Sequence, residues 1–173
     1  MGVEATGPIS ATPDPRQVTE PLEKAVRSGA SWFYWIAALS VVNSVIQLSG
    51  SDRSFVIGLG MTQVFDAIAT GASEGSEGSA GTVLRGIALA LDLTVAGFFA
   101  LMGWQAGKQR AWAFVIGMLL YALDALIFLL VQDWWSIGFH AFALFGIWGG
   151  FASMRKLREA EVQLGLRAIG PGA

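Results

Sequence analysis

Three acidic residues and the single histidine of this chain stand in strongly apolar surroundings. Asp92 lies in "LALDL", Asp124 in "LLYALDALIFLL", Asp66 in "MTQVFDAIAT" and His140 in "IGFHAFALF". An ionised carboxylate at the centre of a membrane helix costs about 2.5–3.5 kcal/mol on insertion scales. Such a group must therefore take up a proton, pair with another group, or face a wet cavity. Histidine is the side chain that ordinarily changes charge near neutral pH. Two chemistries fit the set. Asp92 and Asp124 could exchange protons or hold a cation with His140 as relay. Alternatively, buried Asp, Asn and His could tie helices together, at about 0.6–2 kcal/mol per contact.

Further polar residues accompany them. Ser40, Asn43 and Gln47 fall along one stripe of a helix. Tyr121, one turn before Asp124, is placed to donate a hydrogen bond to it. Arg85 lies two turns outward of Asp92 on the same face. The candidate polar pocket thus comprises Asn43, Gln47, Asp66, Asp92, Tyr121, Asp124 and His140.

Enzymatic readings are weaker. Paired carboxyls can share a proton as in aspartic proteases, but Asp92 and Asp124 sit in "ALDL" and "ALDA" without a Gly-Asp signature. One histidine and no clustered ligand spacing argue against a metal site. No phosphate-binding glycine loop or Ser-His-Asp order is apparent, and absent cysteine removes thiolate chemistry and zinc–sulfur sites. No catalytic residue, metal or cofactor is expected. The sequence favours a non-enzymatic role.

The elements that must position these groups are membrane spans. The chain has 173 residues, 54% apolar and 14% charged, with a mean hydropathy of +0.56. Soluble domains average about 25% charged residues. A spanning helix needs about 20 mostly apolar residues, and four segments qualify: 32–48, 83–104, 111–131 and 135–154. Trp32, Trp35, Trp104, Trp112, Trp134 and Trp135 mark their ends, where amphipathic rings favour the interface. The expected fold is an all-α integral membrane bundle of four spans plus an amphipathic or re-entrant helix, with five spans as the alternative.

Residues 54–70 create that alternative. Ile57, Met61, Val64, Phe65 and Ile68 share one face of a helical projection, while Thr62, Gln63, Asp66 and Thr70 gather opposite. Such two-sidedness suits an interfacial or re-entrant helix that roofs the polar pocket.

The flanks complete the reading. Residues 1–29 form a mobile, proline-rich tail with a short helix stopped at Gly29, residues 30–154 the bundle, and residues 155–173 a second tail into which the last helix continues. No apolar core follows Met1, so a cleavable signal peptide is not expected. "GASEGSEGSAG" reads as a flexible linker, with Thr82 capping the helix after it. Gly103/Gly107 and Gly146/Gly150 have the spacing that lets helices approach closely, within this bundle rather than in a dimer.

With four spans, Lys24, Arg27, Lys108, Arg110, Arg155, Lys156 and Arg158 all flank one side, and only Arg53 and Arg85 flank the other. The positive-inside rule then puts both termini in the cytoplasm. At 1.5 Å per residue, Asn43, Asp92, Asp124 and His140 would lie roughly 9, 15, 12 and 7 Å below the outer end of their helices. They therefore share the outer half of the bilayer.

The segments "AWAFVIGMLLYALDALIFLL", "IGFHAFALF" and "FVIGLGMTQVFDAIA" resemble a family of small uncharacterised bacterial multi-pass membrane proteins. The resemblance covers residues from about 30 to 154 and implies the architecture and a bacterial inner-membrane location. It brings no activity and no catalytic residue. The implied partners are the lipid bilayer, with a protein partner, a second copy, or a small solute or proton as further possibilities. The net charge of −2 and the lack of a basic run offer nothing to nucleic acid.

Overall fold

A computed structural model describes residues 14–48, 59–74 and 79–165. They form five helices: α1 (Pro15–Leu48), α2 (Gly60–Glu74), α3 (Ser79–Gly107), α4 (Ala111–Leu130) and α5 (Trp134–Gln163). Among the described residues, α1, α3, α4 and α5 are long and apolar enough to cross a membrane. The fold is an all-helical membrane bundle of four spans.

Two tight turns make α3, α4 and α5 successive antiparallel rods. In each, a glutamine adopts the left-handed conformation just past the helix end, Gln109 at φ 60° and Gln132 at φ 57°. Arg110 N–H donates to Gln105 O at 3.2 Å and Gln109 N–H to Ala106 O at 2.9 Å. The same pair of bonds closes α4, from Asp133 N–H to Phe128 O and from Gln132 N–H to Leu129 O. This pattern satisfies the last carbonyls of a helix and normally uses glycine at the left-handed position. Asp133 then caps α5, accepting from the Ser136 N–H at 3.3 Å and hydroxyl at 2.5 Å.

α1 packs along α3 and α5, and α4 packs on both of those, so the long helices close a ring in the order α1, α3, α4, α5. Phe33 of α1 is fully buried at its centre, against Phe99, Phe114, Gly103 and Gly117. Leucines, isoleucines and valines such as Val45, Ile87, Leu119, Leu126 and Leu130 point outward. A protein in water would bury these groups; in a bilayer their surroundings are acyl chains.

Several boundaries differ from expectation. α1 is unbroken from Pro15, so residues 15–20 are helical and Gly29 is not a stop. Gly29 instead lies at the crossing with α5, where a Cβ on it would strike the backbone of Gly150. That close approach outweighs the weak helix preference of glycine. Thr82 lies inside α3, which begins at Ser79, and does not cap it. The expected linker over 71–81 is largely helical, since its first four residues end α2 and its last three begin α3. Residues 1–13, 49–58, 75–78 and 166–173 lie outside the described residues, and with them most of the expected N-terminal tail, the middle of the linker and the start of the expected 54–70 helix.

Candidate polar site within the bundle

Asp124 organises the site. Its carboxylate reaches from α4 to the start of α2, where Oδ2 accepts from Gly60 N–H and Oδ1 from Met61 N–H, both at 2.8 Å. The first N–H groups of any helix lack an internal partner and are usually met by a Ser, Thr, Asp or Asn at the cap. The residue in that place here is Leu59, whose carbonyl already accepts from Gln63 N–H and the Thr62 hydroxyl. Leucine has no side-chain acceptor, so a carboxylate from another helix supplies the cap. The partial positive charge of a helix N-terminus favours an anion in that position.

His140 of α5 completes the arrangement. Its Nε2 lies 3.0 Å from Asp124 Oδ2, and its Nδ1 lies 2.8 Å from the carbonyl of Ser136 one turn earlier. Both side chains are buried. A carbonyl only accepts, so Nδ1 carries a hydrogen. One further proton must lie between Nε2 and Oδ2, because two lone pairs would otherwise face each other. Whether it resides on the imidazole or the carboxyl, the pair is neutral as a unit. That suits burial in a low dielectric.

Tyr121 meets this pair through its ring. It stacks on His140 with centroids 4.3 Å apart and planes 17° from parallel, and its other neighbour is Phe99. Among the described residues its hydroxyl makes no hydrogen bond to Asp124, so the expected bond is replaced by stacking. A turn of helix separates the two positions on α4, and the tyrosine's rotamer points at α5. The Phe128 ring also contacts the imidazole, tilted by 49° with centroids 5.0 Å apart.

A second buried carboxyl, Asp92, accepts from the Ser44 hydroxyl at 2.7 Å. Ser44 Oγ also lies 3.2 Å from Ser40 O. One hydroxyl hydrogen cannot serve both acceptors at full strength. Asn43 is buried beside it on α1. Because Ser44 is near the described end of α1, this contact shows that the first turns of α3 project past Leu48. α2 packs chiefly on α3.

α2 is 15 residues long, about 22 Å at 1.5 Å per residue, too short for a bilayer core of about 30 Å. Its faces do not sort by polarity as the sequence suggests: Thr62 is buried while Thr70 on the same projected side is exposed. Leu59, Thr62 and Ala69 are buried against the bundle, and Val64 and Ile68 are exposed. Asp66 lies on α2 and Gln47 near the end of α1, but their side chains are outside the described set.

The structure thus gathers Asp124, His140 and Tyr121 into one contact group and places Asp92 and Asn43, buried, beside Ser44. Sequence reasoning missed Leu59, Ser44, Ser136 and the α2 backbone. Ser44 carried a usable signal, one turn past Ser40 and beside Asn43. Among the described residues no three Asp, Glu or His side chains come together to hold a metal. An open groove of about 530 Å³ between α4 and α5 is lined by apolar side chains, Met118, Leu119 and Ala122 on α4 and Ala141, Phe145 and Trp148 among those on α5, and none of these polar groups lines it.

Outside the spans, Asp133 is held below the usual carboxylate range, chiefly by the hydrogen bond from the Ser136 hydroxyl.

In comparisons with known proteins, no family model, no curated protein and no solved structure matched the chain. The class is therefore defined by the fold alone, as a multi-pass helical membrane protein.

Proposed function

We propose that this protein is a non-enzymatic bundle of the bacterial inner membrane, an accessory subunit whose intramembrane polar groups hold α2 against the spans. One observation carries the reading. Both oxygens of Asp124 are taken by three contacts within the protein, from Gly60 N–H, Met61 N–H and His140 Nε2. A carboxylate so engaged anchors structure and leaves little to bind a substrate. The resemblance to small bacterial membrane proteins belongs to the same proposal.

Orientation follows from charge. Arg158 Nη2 donates to Gln109 O at 2.8 Å, and Gly29 meets Gly150. Lys108 and Arg110 in the α3–α4 turn, Arg155 and Lys156 on α5, and Lys24 and Arg27 on α1 therefore gather toward one end of the bundle. The positive-inside rule assigns that end, with both termini, to the cytoplasm, and the Asp124 group to the outer half.

The alternative is binding or transport of a proton, cation or small solute. The Ser44 contacts favour it: if its hydrogen goes to Ser40 O, Asp92 must supply the one between Ser44 and itself. Flux assays on reconstituted vesicles separate the two. The accessory role gives proton and sodium leak equal to protein-free vesicles. Flux above that level, abolished by Asp92→Asn, would establish transport instead.

A further inference from the structure

We propose that the Asp124–His140 pair is a proton-operated latch on α2: the helix docks only while the pair holds one shared proton, and a gain or loss of one releases it. This rests on the reading of Asp124 as the α2 anchor and adds its regulation.

The geometry allows one count of hydrogens. In the docked state Nδ1–H donates to Ser136 O, one proton lies between Nε2 and Oδ2, and Gly60 and Met61 donate to Oδ2 and Oδ1. An added proton makes the histidine cationic and the carboxyl neutral. Oδ2 already accepts from both Gly60 N–H and Nε2–H, so the new carboxyl hydrogen falls to the second lone pair of Oδ1, and the neutral carboxyl is a weaker acceptor for both α2 amides than the carboxylate was. Removing the shared proton leaves the Nε2 lone pair against Oδ2. Turning the imidazole hydrogen to Nε2 instead deserts Ser136 O. Each change also leaves a net charge in a buried site, where the neutral pair had none.

Around the pair, α1 offers Ser40, Asn43 and Ser44; α3 offers Asp92; α4 offers Tyr121; the α4–α5 turn offers Asp133 and α5 offers Ser136. Asp133, which interacts electrostatically with His140, opposes only a positive excess, and does so weakly beside its bonds to Ser136. α2 carries Asp66, whose side chain is not described. Among the described residues no lysine or arginine hydrogen-bonds the pair. α2 is the movable member because it does not span and because these two backbone bonds hold its N-terminus.

The chain contains no cysteine, so single thiols report on α2 without background. In detergent or nanodiscs, Thr62→Cys sits on the buried face and Ile68→Cys on the exposed face of the same helix. The ratio of their maleimide labelling rates cancels most of the thiol's own pH dependence. The latch predicts a minimum ratio at intermediate pH and a rise of about tenfold toward both acid and alkali. In the His140→Gln background, whose amide still donates to Asp124 but does not titrate, the alkaline rise disappears. A ratio that stays low and flat with pH overturns the latch while leaving the anchor intact. A ratio that Asp124→Asn fails to raise, in protein that remains monodisperse, overturns the anchor as well.

Discussion

Around Phe33 the helices meet through shape, and around Asp124 they meet through hydrogen bonds. At the first level Gly29 lies on Gly150, Trp32 covers Gly146, and the Phe33 ring rests on Gly117, so close that added methyl groups have no room. At the second, a carboxylate, an imidazole and two backbone amides complete one another's valences. Ring contacts join the levels, running from Phe114 through Phe33, Phe99 and Tyr121 to His140. Lipid tails are as apolar as leucine, so burying apolar surface does little to drive spans together. Close packing serves helices that already cross the bilayer. α2 does not cross it, and the first N–H groups of its buried N-terminus need polar partners that lipid cannot provide.

This contrast can be broken at either level. Asp124→Ala is expected to have the largest effect, about 4 kcal/mol, because it leaves His140 and two amides buried without their acceptor. The loss should appear as a lower melting temperature in detergent, with α2 released first. Gly29→Ala is expected to cost about 3 kcal/mol by forcing α1 and α5 apart. Its damage should spread through the whole bundle rather than begin at α2, as read by proteolysis or intrinsic tryptophan fluorescence. Gln132→Gly should stabilise the protein by about 1 kcal/mol, since glycine adopts the left-handed turn without a Cβ penalty.

The smallest expected effect belongs to Asp133→Asn. The folded-state value of this carboxyl is lowered by Ser136, so its contribution to stability is present above the ordinary carboxylate range and fades as pH falls through the lowered value. The difference between wild type and variant in thermal scans should be present at neutral pH and vanish in acid.

The apolar level was largely legible in the sequence, because span length and the Gly146–Gly150 spacing are local patterns that lipid enforces. Gly29 was misread as a stop for the opposite reason: what keeps α1 helical there is a contact with Gly150, far away in sequence. At the polar level the right residue types were visible, and Asp124 and His140 do meet. Their purpose was hidden, since a leucine in the capping position gives no sign that its helix begins there. The left-handed glutamines were equally silent, as glycine or asparagine is the usual marker. Tyr121 was placed on the correct helix, but its rotamer depends on α5.

Amide hydrogen exchange over residues 59–66, compared with residues 29–37 in the same sample, addresses the anchoring of α2 most directly. Asp124→Asn is expected to remove protection from the α2 segment by at least tenfold while the Phe33 segment exchanges as in wild type. Equal protection of α2 in both proteins, or parallel loss in both segments, would contradict it.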